Sequence, residues 1–197
     1  MRQLVVTVIT SLDGFVAGPR GDVMVMPFDE GFDVYNAERL RAADTLLLGR
    51  DTWAGFRSFW PAIADDPAPR RDEEREISRL NTAMEKVVVS DSLTIEGGST
   101  WDDTSRVVAR DAAADTVREL TAGEGGDVLV FGSLRTWNPL LVAGLVDELH
   151  VMVGPVLLGA GMPLLASDVR VPLRLLEARR LPDSSLVLHR YDARGDC

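Results

Sequence analysis

The chain opens on a nearly unbroken apolar run, Gln3-Leu-Val-Val-Thr-Val-Ile-Thr10, rich in β-branched residues. Continuous rather than alternating hydrophobicity suits a strand covered on both faces, so residues 2–10 predict a central strand. Thr45-Leu-Leu-Leu48, Lys86–Ser90, Arg106–Ala109 and Asp127–Phe131 repeat the signal in short form, and Val146–Val153 adds another strand. Between them the period changes to that of a helix. Residues 30–43 space Val34, Ala37 and Leu40 along one face, and Asp72–Met84 does the same with Ile77, Leu80 and Met84. The acids in the first turn of that second segment suit the positive end of a helix dipole. Arg50–Phe59 predicts a short helix ended by Pro61, and Asp111 a cap for a helix over 112–122. Residues 11–28, with three Gly and two Pro, predict a long loop, and 61–71 another. The tail reads as a hairpin, Leu173–Arg180 and Ser185–Tyr191 around Leu181-Pro-Asp-Ser184.

Strand and helix alternate for three-quarters of the length, and the end is antiparallel. The expected fold class is therefore α/β, with a mostly parallel central sheet and an antiparallel C-terminal edge. In such sheets ligands lie beyond the carboxyl ends of the strands. Those ends are Thr10-Ser-Leu-Asp-Gly14, Gly49-Arg-Asp-Thr52, Ser90-Asp-Ser92 and Gly132-Ser133. A single Gly or Ser after a strand is an ordinary turn residue. Four such ends together offer backbone approach, hydroxyl donors and one guanidinium, the equipment for holding phosphate.

Composition narrows the partners. With 197 residues, 46% of them hydrophobic, one domain with a core and a pocket is expected. The net charge of −10 disfavours nucleic acid and anionic membranes. No signal peptide pattern is evident, so a cytoplasmic location is expected. The one cysteine, Cys197, excludes an intramolecular disulfide, and His150 and His189 fall in strand-like runs, so no metal site is expected. No G-x-G-x-x-G, Walker A or G-x-S-x-G motif occurs, which removes the minimum parts of a Rossmann enzyme, an NTPase and an α/β-hydrolase.

Five motifs then stand in order: Ser11-Leu-Asp-Gly14, Leu48-Gly-Arg-Asp-Thr-Trp53, Lys86-Val-Val-Val-Ser90, Val130-Phe-Gly-Ser133 and Gly144-Leu-Val-Asp-Glu-Leu149. Pro155-Val-Leu-Leu-Gly159 and Gly161 follow. The set resembles the riboflavin-biosynthesis reductase C-terminal-domain family, whose fold is that of dihydrofolate reductase, as a standalone member spanning residues 1–197. The resemblance implies a three-layer fold with about eight strands, NADPH as hydride donor, a small heterocyclic or conjugated substrate, and a homodimer. It matches Gly49, Arg50, Thr52, Ser90, Gly132, Ser133 and Leu134 to cofactor binding, and Thr10, Asp13 and Gly14 to a loop beside the nicotinamide.

Met26-Pro-Phe28 is similar to the Met-Pro-Trp of dihydrofolate reductases, which makes Phe28 a substrate-side candidate and Asp33 a candidate proton donor. The plain alternative leaves Asp33 in the solvated first turn of a helix. Trp53, Trp60, Trp101 and Trp137 read as packing residues, and Asp147 and Glu148 as the opening of a strand. Pro139 poses a conflict: either Ser133 caps a helix that loses an internal bond at Pro139, or a short turn over 133–137 precedes a helix capped by Asn138. Two readings of function stay open beside the reductase of unnamed substrate: a non-catalytic nucleotide or pterin binder on the same fold, and a riboflavin-pathway reductase.

Overall fold

The computed structural model describes residues 2–166 and 169–195; Cys197 lies outside the described residues. Eight strands form one sheet in the order β5-β4-β3-β6-β1-β7-β10-β9. They are β1 (Leu4–Thr10), β3 (Ala43–Gly49), β4 (Glu85–Val89), β5 (Ser105–Val108), β6 (Asp127–Phe131), β7 (Glu148–Val153), β9 (Arg174–Arg180) and β10 (Val187–Asp192). The first six pair in parallel, and β10 runs antiparallel to both β7 and β9. This is the expected α/β sheet with its antiparallel C-terminal hairpin.

Side chains of β1 and β6 alternate between two apolar layers. Leu4, Val6, Val8, Val128 and Val130 pack on α5 (Ala113–Ala122) and α6 (Leu134–Val142). Val5, Leu129 and Phe131 pack on the opposite face with α1 (Glu30–Ala42), α2 (Arg50–Ile63), α3 (Asp72–Ala83) and the short α4 (Thr100–Asp103). The period of two thus sorts one strand into two cores, which explains its unbroken hydrophobicity. Trp53, Trp101 and Trp137 are buried packing residues. Among the described residues no helix is long and apolar enough to cross a membrane.

Five expectations need correction. The loop over 11–28 contains a short strand, β2 (Phe15–Ala17), paired antiparallel with β8 (Met162–Pro163). Helix α2 continues through Pro61 to Ile63. Its end is held from outside: Ser78 Oγ donates to Trp60 O at 2.5 Å, and Arg75 Nη1 donates to Ala64 O at 2.9 Å. Helix α5 is capped by Ala112 without a side-chain bond, not by Asp111. Helix α6 is continuous through Pro139, so Asn138 is no cap; its amide instead donates to Leu164 O and accepts from Ala166 N–H. An internal proline costs about 3 kcal/mol. Full burial of Trp137, with Leu140 and Leu141, supplies packing of that size. On α1 the buried face also differs from the expected one. Val34 is exposed, while Tyr35, Asn36 and Asp33 turn inward.

Candidate functional site

The parallel strands bring their carboxyl ends to one edge of the sheet. Register makes that edge stepped. Phe131, the last residue of β6, sits beside Thr7 of β1, so β1 runs three residues further, to Thr10. At 3.3 Å per residue the step is about 10 Å deep. Its floor is the turn after β6, and its wall is the end of β1 with β7.

The floor joins two helix N-termini. Gly49 precedes α2 and Ser133 precedes α6, and neither helix has a side-chain cap. Gly49 N–H donates to Ser133 Oγ at 2.9 Å, which stitches the two together. That bond occupies the Gly49 amide, and Thr136 N–H donates to Ser133 O at 2.7 Å, so the groups available to an anion are the first-turn amides of α2 and those of α6 ahead of Thr136. Gly132 takes φ +53° and Ser133 φ +50°, a left-handed pair in which the serine is strained. A Cβ on Gly49 would lie 2.9 Å from Thr136 Oγ1, and one on Gly132 would lie 3.6 Å from Thr52 Oγ1. Gly49, Thr52, Gly132, Ser133 and Leu134 are therefore brought together.

Arg50 flanks this floor, half exposed. Its Nε bonds Asp51 at 3.0 Å and its Nη1 bonds Ser92 Oγ at 3.2 Å. Ser90, at the end of β4, is buried, and its hydroxyl accepts the amides of Ser92 and Leu93. Ser90 thus shapes the turn that presents Ser92 to Arg50. The Ser90-Asp-Ser92 motif contained this hydroxyl, but periodicity could not show which serine faces out. Beyond it a cavity of about 190 Å³ is lined by Val89, Arg110, Arg135, Thr136 and Leu140.

The wall side is built from two loops. Thr10 O accepts Gly154 N–H at 2.7 Å, and a Cβ on Gly154 would meet Pro27 Cγ at 2.9 Å. The Met26-Pro27-Phe28 segment therefore lies against the ends of β1 and β7. Met26 is buried with Ile9 and Met152, and Phe28 is partly exposed, edge-on to Phe32 at 4.9 Å. Gly14, at φ +84°, gives its carbonyl to Leu164 N–H at 3.0 Å.

The two candidate acids differ in kind. Asp13 accepts the N–H groups of Leu158 and Gly159, at 3.1 and 2.7 Å. A Ser11 hydrogen bond and these amides hold its carboxyl down to about 2, so it stays ionised and cannot donate a proton near neutrality. It clamps the loop after β7 to the loop after β1. Asp33 is not solvated; it is buried, and burial pushes its carboxyl up to about 6 although Arg71 pairs with it. Arg71 precedes α3, so this pair fastens α1 to α3.

A buried polar chain under α1 had no sequence signal beyond single residues. Tyr35 Oη meets His150 Nδ1 at 2.8 Å, His150 Nε2 meets Glu148 at 2.7 Å, and Arg190 donates to Glu148 at 2.8 Å. Burial holds the His150 imidazole down to about 4, hence neutral. Asp147 Oδ2 accepts Leu4 N–H, a strand-opening role.

Comparison with known proteins bears on this arrangement. The family model described as RibD C-terminal domain matches residues 2–187. The crystal structure of a putative riboflavin biosynthesis protein from Shewanella sp. PV-4 is similar at 25% identity, with 96% of this chain and 98% of that one covered and a TM-score of 0.64. A diaminohydroxyphosphoribosylaminopyrimidine deaminase/5-amino-6-(5-phosphoribosylamino)uracil reductase from Thermotoga maritima shares the fold at 16% identity and TM-score 0.66; 97% of this chain covers 56% of that one. Dihydrofolate reductase from Enterococcus faecalis, complexed with NADP(H), shares it at 13% identity and TM-score 0.61, with 96% and 95% covered. The fold is dihydrofolate reductase-like.

Proposed function

The chain belongs to the RibD C-terminal domain family, and on that premise we propose that it is an NADPH-dependent reductase of a small heterocyclic or conjugated substrate. The family and its neighbours support a reductase-type function. One observation carries the cofactor reading: two helix N-termini without side-chain caps stand side by side at Gly49 and Ser133, joined by one hydrogen bond, with glycine at positions 49 and 132.

The diphosphate is assigned to the first-turn amides of α2 and α6, with Thr52, Gly132, Ser133 and Leu134 around it. Arg50, with Ser92 and the Ser90 turn, is assigned to the phosphate that distinguishes NADPH from NADH. The cavity flanked by Arg110 and Arg135 takes the adenosine end. When bound, NADPH supplies the hydride. Thr10, Gly14 and Phe28 orient the substrate ring at the wall of the step. Asp13 holds that wall together as a carboxylate, and Asp33 holds α1 against α3. The edge strand β9, with Leu175 and Leu176 exposed, is the face assigned to homodimerisation.

Fluorescence titration with NADPH and NADH tests the cofactor, and loss of NADPH absorbance over a panel of pteridines, pyrimidines and conjugated carbonyls tests turnover. Absence of NADPH binding at millimolar concentration refutes the proposal. Both candidate acids are engaged, Asp13 by loop amides and Asp33 by Arg71, which favours a second reading, a nucleotide or pterin binder without turnover; tight NADPH binding with no oxidation across the panel would select it. Reduction confined to phosphoribosylaminouracil-type compounds would select a riboflavin-pathway reductase.

A further inference from the structure

The rim is chemically polarised along its length. Arg50, Arg110 and Arg135 stand at the end near β3, β4 and β6. The other end is formed by the loop over 11–28 and the loop after β7. Six of the molecule's exposed large apolar side chains lie on these two loops: Leu12, Val23, Met24, Val25, Phe28 and Leu157. Met24 is 78% exposed, Leu157 69% and Leu12 66%.

This exposure is not the slackness of an unanchored loop. Leu12 N–H donates to Val156 O at 2.8 Å, Asp13 takes the amides of Leu158 and Gly159, and β2 pairs with β8 behind them. A Cβ on Gly18 would meet Val25 at 3.5 Å and one on Gly21 would meet Met162 Sδ at 3.6 Å, so both side chains lie close to the turn at 18–21. A well-bonded frame thus holds apolar groups in water beside the ends of β1 and β7, and clustered exposure of this kind marks a binding surface.

Charge on the same frame is acidic. Residues 11–28 and 154–166 contain Asp13 and Asp22, and Arg20 is their one cation. A phosphate dianion seated here would exchange its hydration for apolar contacts and two nearby carboxylates, with one exposed guanidinium to answer it. A flat uncharged ring with an apolar arm would lose only unfavourable hydration.

We infer that the substrate end of this reductase accepts an uncharged planar heterocycle carrying an apolar substituent, and discriminates against the phosphorylated sugar conjugate used by the riboflavin-pathway relative. The inference rests on the reductase reading and deepens it. The full-length chain, saturated with NADPH, is titrated calorimetrically with two ligands of one ring, 5-amino-6-(benzylamino)uracil and 5-amino-6-(5-phosphoribosylamino)uracil. The benzyl compound is expected to bind at least tenfold more tightly. Leu157→Asp, an exposed position that no core contact needs, is expected to weaken it at least tenfold while NADPH affinity holds. Equal affinities, tighter binding of the phosphoribosyl compound, or binding of neither overturns the inference while leaving the cofactor reading intact. Failure of NADPH itself to bind overturns the reductase reading, and the inference falls with it.

Discussion

Arg50 offers the sharpest test of the cofactor assignment. A guanidinium has five N–H donors. In Arg50 the Nε is engaged by Asp51 and one Nη1 position by Ser92, which leaves three for a ligand. A charge-assisted hydrogen bond contributes about 1.5–3 kcal/mol. The Arg50 side chain is 52% exposed and already shares its charge with Asp51, so the low end applies, about 1.5–2 kcal/mol. At 1.4 kcal/mol per tenfold, Arg50→Ala should weaken NADPH about 10- to 30-fold. NADH, which lacks the extra phosphate, should change less than about threefold. Asp51→Asn removes the competing carboxylate and should tighten NADPH by up to about fivefold, because an exposed ion pair is worth only about 0–1 kcal/mol. Dissociation constants for both coenzymes, from fluorescence at two ionic strengths, provide the readout. The NADPH preference should shrink as salt rises. Equal losses for the two coenzymes in Arg50→Ala would refute the assignment, as would a preference indifferent to salt.

Other perturbations follow from packing and titration. Gly49→Ala should cost about 1 kcal/mol in urea unfolding, because its Cβ meets Thr136 Oγ1, and Thr136→Ala should restore most of it in the double variant. Gly161→Ala should cost more, about 2–3 kcal/mol, since its Cβ would lie 2.1 Å from the carbonyl of Ala17, which cannot rotate away from the β2–β8 pairing. His150 and Asp33 should oppose each other in acid. The folded pKa of His150, about 4, lies below its unfolded value. The unfolded chain therefore takes up that proton first, and about 2 kcal/mol of stability is lost from pH 7 to 4.5. The folded pKa of Asp33, about 6, lies above its unfolded value, so the folded chain protonates first and gains about 2 kcal/mol over the same interval. His150→Gln should thus be stabilised, and Asp33→Asn destabilised, by acidification relative to wild type in urea titrations at the two pH values. Parallel pH dependence of all three proteins would refute both assignments.

The sheet was legible because its signal is local and redundant. A strand buried on both faces reads as a nearly continuous apolar run, so β1, β3, β4 and β6 declare themselves without reference to the rest of the chain. The helix ends were less legible, because what holds them is distant in sequence. Pro61 reads as a stop until Arg75 and Ser78 arrive from α3 to take the carbonyls around it. Pro139 reads as a break until Trp137 is packed between α6 and the sheet. In both cases tertiary contacts outweigh a local preference of about 3 kcal/mol. Val34 was expected inside and lies outside for a related reason. Periodicity counts apolar residues, whereas Asp33 and Asn36 turn inward because Arg71 and the Thr7 hydroxyl await them.

The site divides along the same line. Strand ends are fixed by topology, so naming Gly49, Arg50, Gly132 and Ser133 needed only the order of strands and the rule about their carboxyl edges. The states of those residues were not legible. Ser133 spends an acceptor on Gly49 N–H, Ser90 spends its own on the turn, and Asp13 spends both oxygens on the loop after β7. Each is a functional residue type used first as a brace. The groups left over are therefore the informative ones: the first-turn amides of two helices, three Arg50 donors, and apolar side chains held in water at the opposite end. A rim with free donors at one end and exposed apolar groups at the other suits the two proposed ligands, a long one held by its charge and a smaller one held by its flat face. The order of binding follows from this. The coenzyme, held by charge, should bind the free protein, whereas a flat ligand at the wall should gain affinity once NADPH covers the floor beside it. Calorimetry of one flat ligand with and without saturating NADPH measures that coupling, which must appear with equal size in the NADPH affinity. Independence of the two sites would mean that the step holds only one of them.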